Sequence, residues 1–188
     1  MHNGVTLLRI SIFGVVSAAF VVLTWRSLKS PRFHGFYRFF AFEFLLALVL
    51  LNAPGWFRDM LSIRQMAATL LLTASLFLAI EGLRLLRTVG KPSREAPAHG
   101  NLAFENTTIL VTVGLYRFIR HPMYASLLAL AWGLFLKRPA VAGLILALGA
   151  SGFLVATALA EERENLARFG ASYAAYCRTT RRFVPYLI

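Results

Sequence analysis

The chain has 188 residues, 58% of them hydrophobic, and a mean hydropathy of +0.64, well above ordinary globular usage. That length suits one compact membrane domain (1–188) with no second one. The formal net charge of +12 does not point to nucleic acid. Its Lys and Arg lie between apolar runs instead of forming one stripe or tail, as when basic residues gather on one side of a bilayer.

About five membrane segments are predicted by the ~20-residue spanning rule. The first runs from about Val5 to Trp25, and the second from about Phe36 to Leu51, ending at a turn in "NAPGW". The third covers about Ile63 to Leu86, followed by the long Pro- and Gly-rich loop "RTVGKPSREAPAHGN". A short fourth segment begins at Pro122 and reaches about Leu136; the fifth runs from about Val141 to Ala160. The tail from Glu161 onward is charged and aromatic. The fold class expected is all-α and polytopic, with a cytoplasmic helical tail that completes a site.

Arg and Lys cluster after the first and third helices and in the tail. The positive-inside rule makes those three regions cytoplasmic and puts the N-terminus outside. Lys137 and Arg138 then lie on the opposite side, where snorkelling side chains would be tolerated.

"YRFIRHPMYA", Tyr116 to Ala125, sits where the loop becomes the fourth helix. Proline is favoured in a first helical turn, and the free N–H groups beyond it carry partial positive charge. With Arg117, Arg120 and His121 nearby, that end suits an anionic group, or alternatively anchors the helix to lipid headgroups.

Glu161 and Glu162 stand at the exit of the fifth helix, in a chain with only eight acidic residues. Neighbours on a helix diverge by ~100°, so one is expected to face the bundle and the other water. Glu164 and Arg168 fit an i,i+4 pair, Gly170 reads as a C-cap, and Tyr173 and Tyr176 share a face. Glu43, inside the second span, calls for an ion pair or an acceptor-pocket role; Glu81 suits a nearby Arg. Cys177, the single cysteine, excludes an intrachain disulfide and a CxxC metal site, so no metal is expected. A carboxylate, donors and aromatic rings together suit a zwitterion carrying an aromatic base, as in S-adenosylmethionine. No Gly-x-Gly-x-x-Gly follows a strand, which excludes a Rossmann enzyme.

"LVTVGLYRFIRHPMYAS" followed by "EERENLARFGASYAAYCRTTRRFVP" resembles the isoprenylcysteine carboxyl methyltransferase and phospholipid methyltransferase superfamily of integral membrane enzymes. Gly114, Tyr116, Arg120, His121, Pro122 and Tyr124 match its first block. Glu161, Glu162, Phe169, Gly170, Tyr173, Tyr176, Arg182 and Pro185 match the second. Ser126 replaces a glycine, and Leu115 a common proline.

The resemblance implies an S-adenosylmethionine-dependent methyltransferase for a lipidic or lipid-linked acceptor: an isoprenylcysteine-type carboxylate, a phospholipid amine or a small hydrophobic thiol. It implies that His121, Pro122 and Tyr124 line the cofactor site and that Glu162 meets the methionine ammonium. Arg120 would hold the reactive end and Arg182 would tie the tail over it, with Glu161, Tyr116 and Tyr176 as further cofactor contacts. Residues 1–100 would shape the acceptor side and 101–188 the cofactor core. Two other classes are a reductase like the sterol reductases, with a nicotinamide cofactor, and a non-enzymatic membrane scaffold. Met123 stands where such reductases usually carry asparagine.

Overall fold

A computed structural model describes residues 2–53, 56, 61–92 and 107–186. The turn at Pro54 and Gly55 and the loop residues 93–106 lie outside them. The helices are α1 (His2–Leu28), α2 (His34–Asn52), α3 (Ile63–Thr88), α4 (Pro122–Lys137), α5 (Val141–Phe169) and α6 (Ala171–Thr179). A 3₁₀ turn, Gly114–Arg117, precedes α4.

The protein is an all-α, polytopic membrane protein. Helices α1, α2, α3 and α5 are long and apolar enough to cross a bilayer. At 16 residues, α4 spans about 24 Å, short of the ~30 Å hydrocarbon core. Antiparallel α3 packs along α4, α2 packs along α5, and α4 also touches α5 and α2. Ala131, Ala147 and Ala150 are fully buried among Leu45, Leu48 and Leu134; small side chains let the helix backbones approach closely. Helix α1 leans on α2 and keeps Leu7, Ile10, Val15, Val22 and Leu23 exposed. That is the pattern of a helix facing lipid over most of its circumference.

Two charged groups within the helices are met by hydroxyls. Glu43 makes no ion pair with a described residue; it accepts a hydrogen bond from Ser17 Oγ of α1 at 2.5 Å. Lys137 does not snorkel outward. It is buried and donates to Thr69 Oγ1 at 3.1 Å. The last carbonyls of α4 have no partners further along their own helix. Arg64 reaches Leu136 O at 2.7 Å and Lys137 O at 2.8 Å, and Gln65 reaches Lys137 O at 2.9 Å. Arg138 remains exposed.

The short α4 creates space at its N-terminal end. Gly82 of α3 packs on Pro122 and Met123, and α3 then continues for about two more turns. On the other flank α5 passes Tyr124 at Glu161 and also runs about two turns further. Gly170, with φ +54° and ψ −128°, turns the chain sharply from α5 into α6, in backbone territory that suits glycine. The tail then returns over the gap.

Candidate active site at the start of the fourth helix

Tail and loop are joined by backbone bonds. Arg120 N donates to Arg181 O at 2.7 Å, His121 N to Arg182 O at 3.0 Å, and Arg181 N to Phe118 O at 3.1 Å. This short parallel bridge fixes the residues immediately before α4. Pro122 occupies the first helical position and His121 the N-cap, as the sequence predicts. Pro122 is fully buried against α3, however, and forms no part of the cavity wall.

Both glutamates turn inward, contrary to the expectation that one faces water. The surroundings explain it: α4 flanks one side of this stretch of α5, and the returning tail flanks the other. Glu162 is the centre of an ion network. Arg120 Nε donates to its Oε1 at 2.8 Å, while Arg182 donates through Nε at 3.1 Å and Nη2 at 3.0 Å. His121 Nε2 lies 3.4 Å from the same carboxylate. Arg120 is further fixed by the carbonyls of Cys177 and Thr180, so one guanidinium joins α5, α6 and the tail.

Glu161 has different neighbours. It accepts a hydrogen bond from Tyr124 Oη, lies 3.9 Å from His121 Nδ1, and receives Asn165 Nδ2 at 3.5 Å. No Arg or Lys among the described residues pairs with it. Its side chain is 29% exposed against 14% for Glu162; Glu161 lines the cavity at the start of α4, whereas Glu162 lines a separate one beside α6. The carboxylate of Glu161 is thus the one with charge to offer.

The enclosed part of that cavity is small, about 70 Å³, and it opens into a cleft of about 650 Å³ that includes solvent. Tyr116, Arg120, His121, Tyr124, Glu161 and Tyr176 line it, whereas Pro122, Glu162 and Arg182 stand behind it. Leu86, Leu110, Val111 and Phe169 supply an apolar portion of the wall. The imidazole of His121 stacks on Tyr124 with centroids 5.4 Å apart. Tyr176 donates to Tyr116 O at 2.6 Å, which pins α6 to the 3₁₀ turn. Arg120 keeps Nη2 without a hydrogen bond to a described residue, beside the cavity.

Asn165 and Tyr173 also line the cavity. Asn165 was findable as the residue one turn beyond Glu161, on the same face. The Tyr173 hydroxyl is buried beside the Asn165 amide and the Cys177 thiol. Burial first, then the neighbouring Glu161 carboxylate, pushes the Tyr173 phenol above its ordinary range. Burial also raises Tyr176 and the Cys177 thiol. The replacement Ser126 is accommodated within α4, buried and donating back to Met123 O at 2.6 Å. No group of three or more potential metal ligands occurs among the described residues.

Neither the curated proteins nor the solved structures compared with the chain provide a match. The family model for phospholipid methyltransferases matches residues 63–171, a stretch that starts with α3 and ends just past the Gly170 corner. It therefore takes in α3, α4, α5 and most of the cavity lining, leaving α1, α2 and most of the tail, with Tyr173 and Tyr176, outside. On that match, over more than half of its length, the chain belongs to the phospholipid methyltransferase family, membrane enzymes that act on lipid-type substrates.

Proposed function

We propose that the protein transfers a methyl group from S-adenosylmethionine to a lipidic acceptor that arrives from the bilayer. The observation that carries this reading is the pairing of Glu161 and Arg120 on one aromatic-walled cavity. A carboxylate without a cationic partner, a guanidinium with a spare Nη2 and several tyrosine rings suit an ammonium, a carboxylate and a heteroaromatic base.

In this reading Glu161, not Glu162, meets the methionine ammonium, and Arg120 meets the carboxylate end. Glu162 and Arg182 hold the wall in place, with Glu162 spent on two arginines. Tyr116, Tyr124 and Tyr176 provide ring surface, and His121 stacks on Tyr124 in the same wall. Pro122 acts by setting where α4 begins.

Bound there, S-adenosylmethionine supplies a methyl group already activated by its sulfonium charge. The protein's part is to hold donor and acceptor in near-attack geometry and to exclude water, worth several kcal/mol of barrier. A carboxylate acceptor needs no base near neutral pH; an ammonium or thiol acceptor must first lose a proton. Helices α1 and α2, outside the family match, are assigned to the acceptor side. The Lys and Arg distribution supports a cytoplasmic face for the cavity.

Thermal melting with S-adenosylhomocysteine tests the cofactor. Ligand at ~100 times its Kd stabilises the folded state by about 2.7 kcal/mol. NADPH should leave the melting temperature unchanged; a shift with NADPH alone would move the assignment to a reductase. Transfer of labelled methyl to a panel of phospholipids, prenylcysteines and hydrophobic thiols then identifies the acceptor.

A further inference from the structure

Three arginines take no part in holding the cavity wall. Arg117 of the 3₁₀ turn, Arg178 of α6 and Arg181 of the tail line one small pocket, which encloses about 200 Å³. No carboxylate lines it. Every glutamate among the described residues is engaged elsewhere: Glu43 with Ser17, Glu81 with Arg84, Glu161 with Tyr124, Glu162 with Arg120 and Arg182, and Glu164 with His34. The backbone imposes the gathering, since Arg181 N donates to Phe118 O at 3.1 Å and Arg120 N to Arg181 O at 2.7 Å. Like charges held together without a counter-charge repel, and a bound anion turns that repulsion into attraction. The pocket shares no lining residue with the candidate active site. Tyr176 and Arg178 lie ~200° apart around α6, the first on the cavity and the second on this pocket.

We propose that Arg117, Arg178 and Arg181 bind the phosphate of an anionic membrane lipid, on the face of the tail turned away from the candidate active site. Guanidinium forks match phosphate oxygens in shape as well as charge. A phosphate monoester brings close to two negative charges to three positive ones. The surroundings favour a lipid over a soluble phosphate. Phe118, Val184 and Tyr186 are exposed, and Phe118 and Tyr186 line the pocket with the arginines. Aromatic rings mixed with basic side chains belong at headgroup level, where basic pockets take acidic headgroups. Helix α4 begins at Pro122, directly after this segment, which keeps the pocket close to the membrane surface. An occupied pocket clamps the 3₁₀ turn, α6 and the tail together there. The lipid held in it is a different molecule from the methyl acceptor, because the two cavities have no wall residue in common.

Displacement of a fluorescent short-chain phosphatidic acid from the detergent-solubilised protein reads the site. Unlabelled phosphatidic acid of the same chain length should displace it. Phosphatidylcholine of that length, whose choline offsets the phosphate charge, should need at least roughly tenfold more. Inorganic phosphate, with nothing to place against Phe118 and Tyr186, should likewise need at least roughly tenfold more. The triple variant Arg117→Gln, Arg178→Gln, Arg181→Gln should bind the labelled lipid at least roughly tenfold more weakly. A control that loses the same charge at the end of α1, Arg26→Gln, Lys29→Gln, Arg32→Gln, should weaken it by about twofold or less. All six side chains are exposed, so both variants should melt with the parent. Equal losses in the two variants would reduce the pocket to diffuse surface charge and overturn the site. Phosphatidylcholine as effective as phosphatidic acid would overturn it too, and inorganic phosphate as effective as either would overturn the lipid. These competition arms use the parent alone and decide the matter even if a variant folds poorly.

Discussion

Glu162 and Arg182, twenty residues apart, form a two-pronged ion pair that fastens the tail to α5, and Arg120 closes on the same carboxylate from the start of α4. Glu161, its immediate neighbour, holds no such partner and faces the cavity. Two chemically identical residues therefore do different work, one in holding the wall and one in presenting charge.

Neutralising each in turn separates these jobs. Glu162→Gln leaves the Arg120 guanidinium, only 9% exposed, beside a neutral amide. Breaking a buried pair on one side typically costs about 3–5 kcal/mol, and the solvated Arg182 moderates that to roughly 3. The expected result is a clear drop in melting temperature and faster proteolysis within the tail. Glu161→Gln should stay within about 0.5 kcal/mol of the parent in stability. It should instead lose roughly ten- to a hundredfold in affinity for S-adenosylhomocysteine, the value of a charge-assisted hydrogen bond. Melting curves and titration of both variants give the comparison. Loss of affinity without loss of stability at Glu162 would reverse the two assignments.

Tyr176 tests how α6 is held. Its hydroxyl donates to Tyr116 O at 2.6 Å in a fully buried bond. Tyr176→Phe keeps the ring and leaves that carbonyl unsatisfied, at a cost of about 1–3 kcal/mol. A lowered melting temperature is expected; an unchanged one would mean that ring packing alone holds α6.

Alkaline pH should act on Tyr176 and on Tyr173. Burial raises both phenols above their unfolded values, so the folded state holds these protons more tightly than the unfolded one. The associated stability is fully present below pH ~10, the unfolded tyrosine value, and is lost as pH climbs through the folded values. Each phenol contributes a slope of about 1.4 kcal/mol per pH unit within that window. Melting temperature against pH, from 8 to 11, should fall more gently in the Tyr173→Phe, Tyr176→Phe double variant than in the parent. Parallel curves would mean that the phenols are not protected.

How much of this was legible in the sequence depends on the range of the interactions. The long apolar runs, Pro122 at a helix start and Gly170 at a helix end are local signals, and each appears where its chemistry places it. The inward turn of both Glu161 and Glu162 was not legible. A ~100° offset separates faces only when one side of the helix is solvent, and here the returning tail occupies the second side. Glu43 finds Ser17, a small residue whose position on α1 gives no pattern to read. Lys137 points inward to the Thr69 hydroxyl, a partner on α3 that lies far away in sequence. The division of the motif residues into wall and support was not legible, since a motif carries spacing and not orientation.

Orientation in the membrane is the last test, and it follows from charge. The basic clusters after α1, after α3 and in the tail belong on the cytoplasmic side by the positive-inside rule. Helix α1 then begins outside, and α6 with the cavity lies inside. In a Cys177→Ser background, Asn3→Cys should react with a membrane-impermeant maleimide added to intact cells. Ser172→Cys, at an exposed position on α6, should react only after the membrane is permeabilised. Using Ser172 avoids Cys177, whose thiol is partly buried and has its acidity lowered by that burial, so that slow labelling there would say little about sidedness. The reverse labelling pattern would place the cavity on the outer face, away from any cytoplasmic supply of S-adenosylmethionine. It would remove the cofactor reading along with the topology.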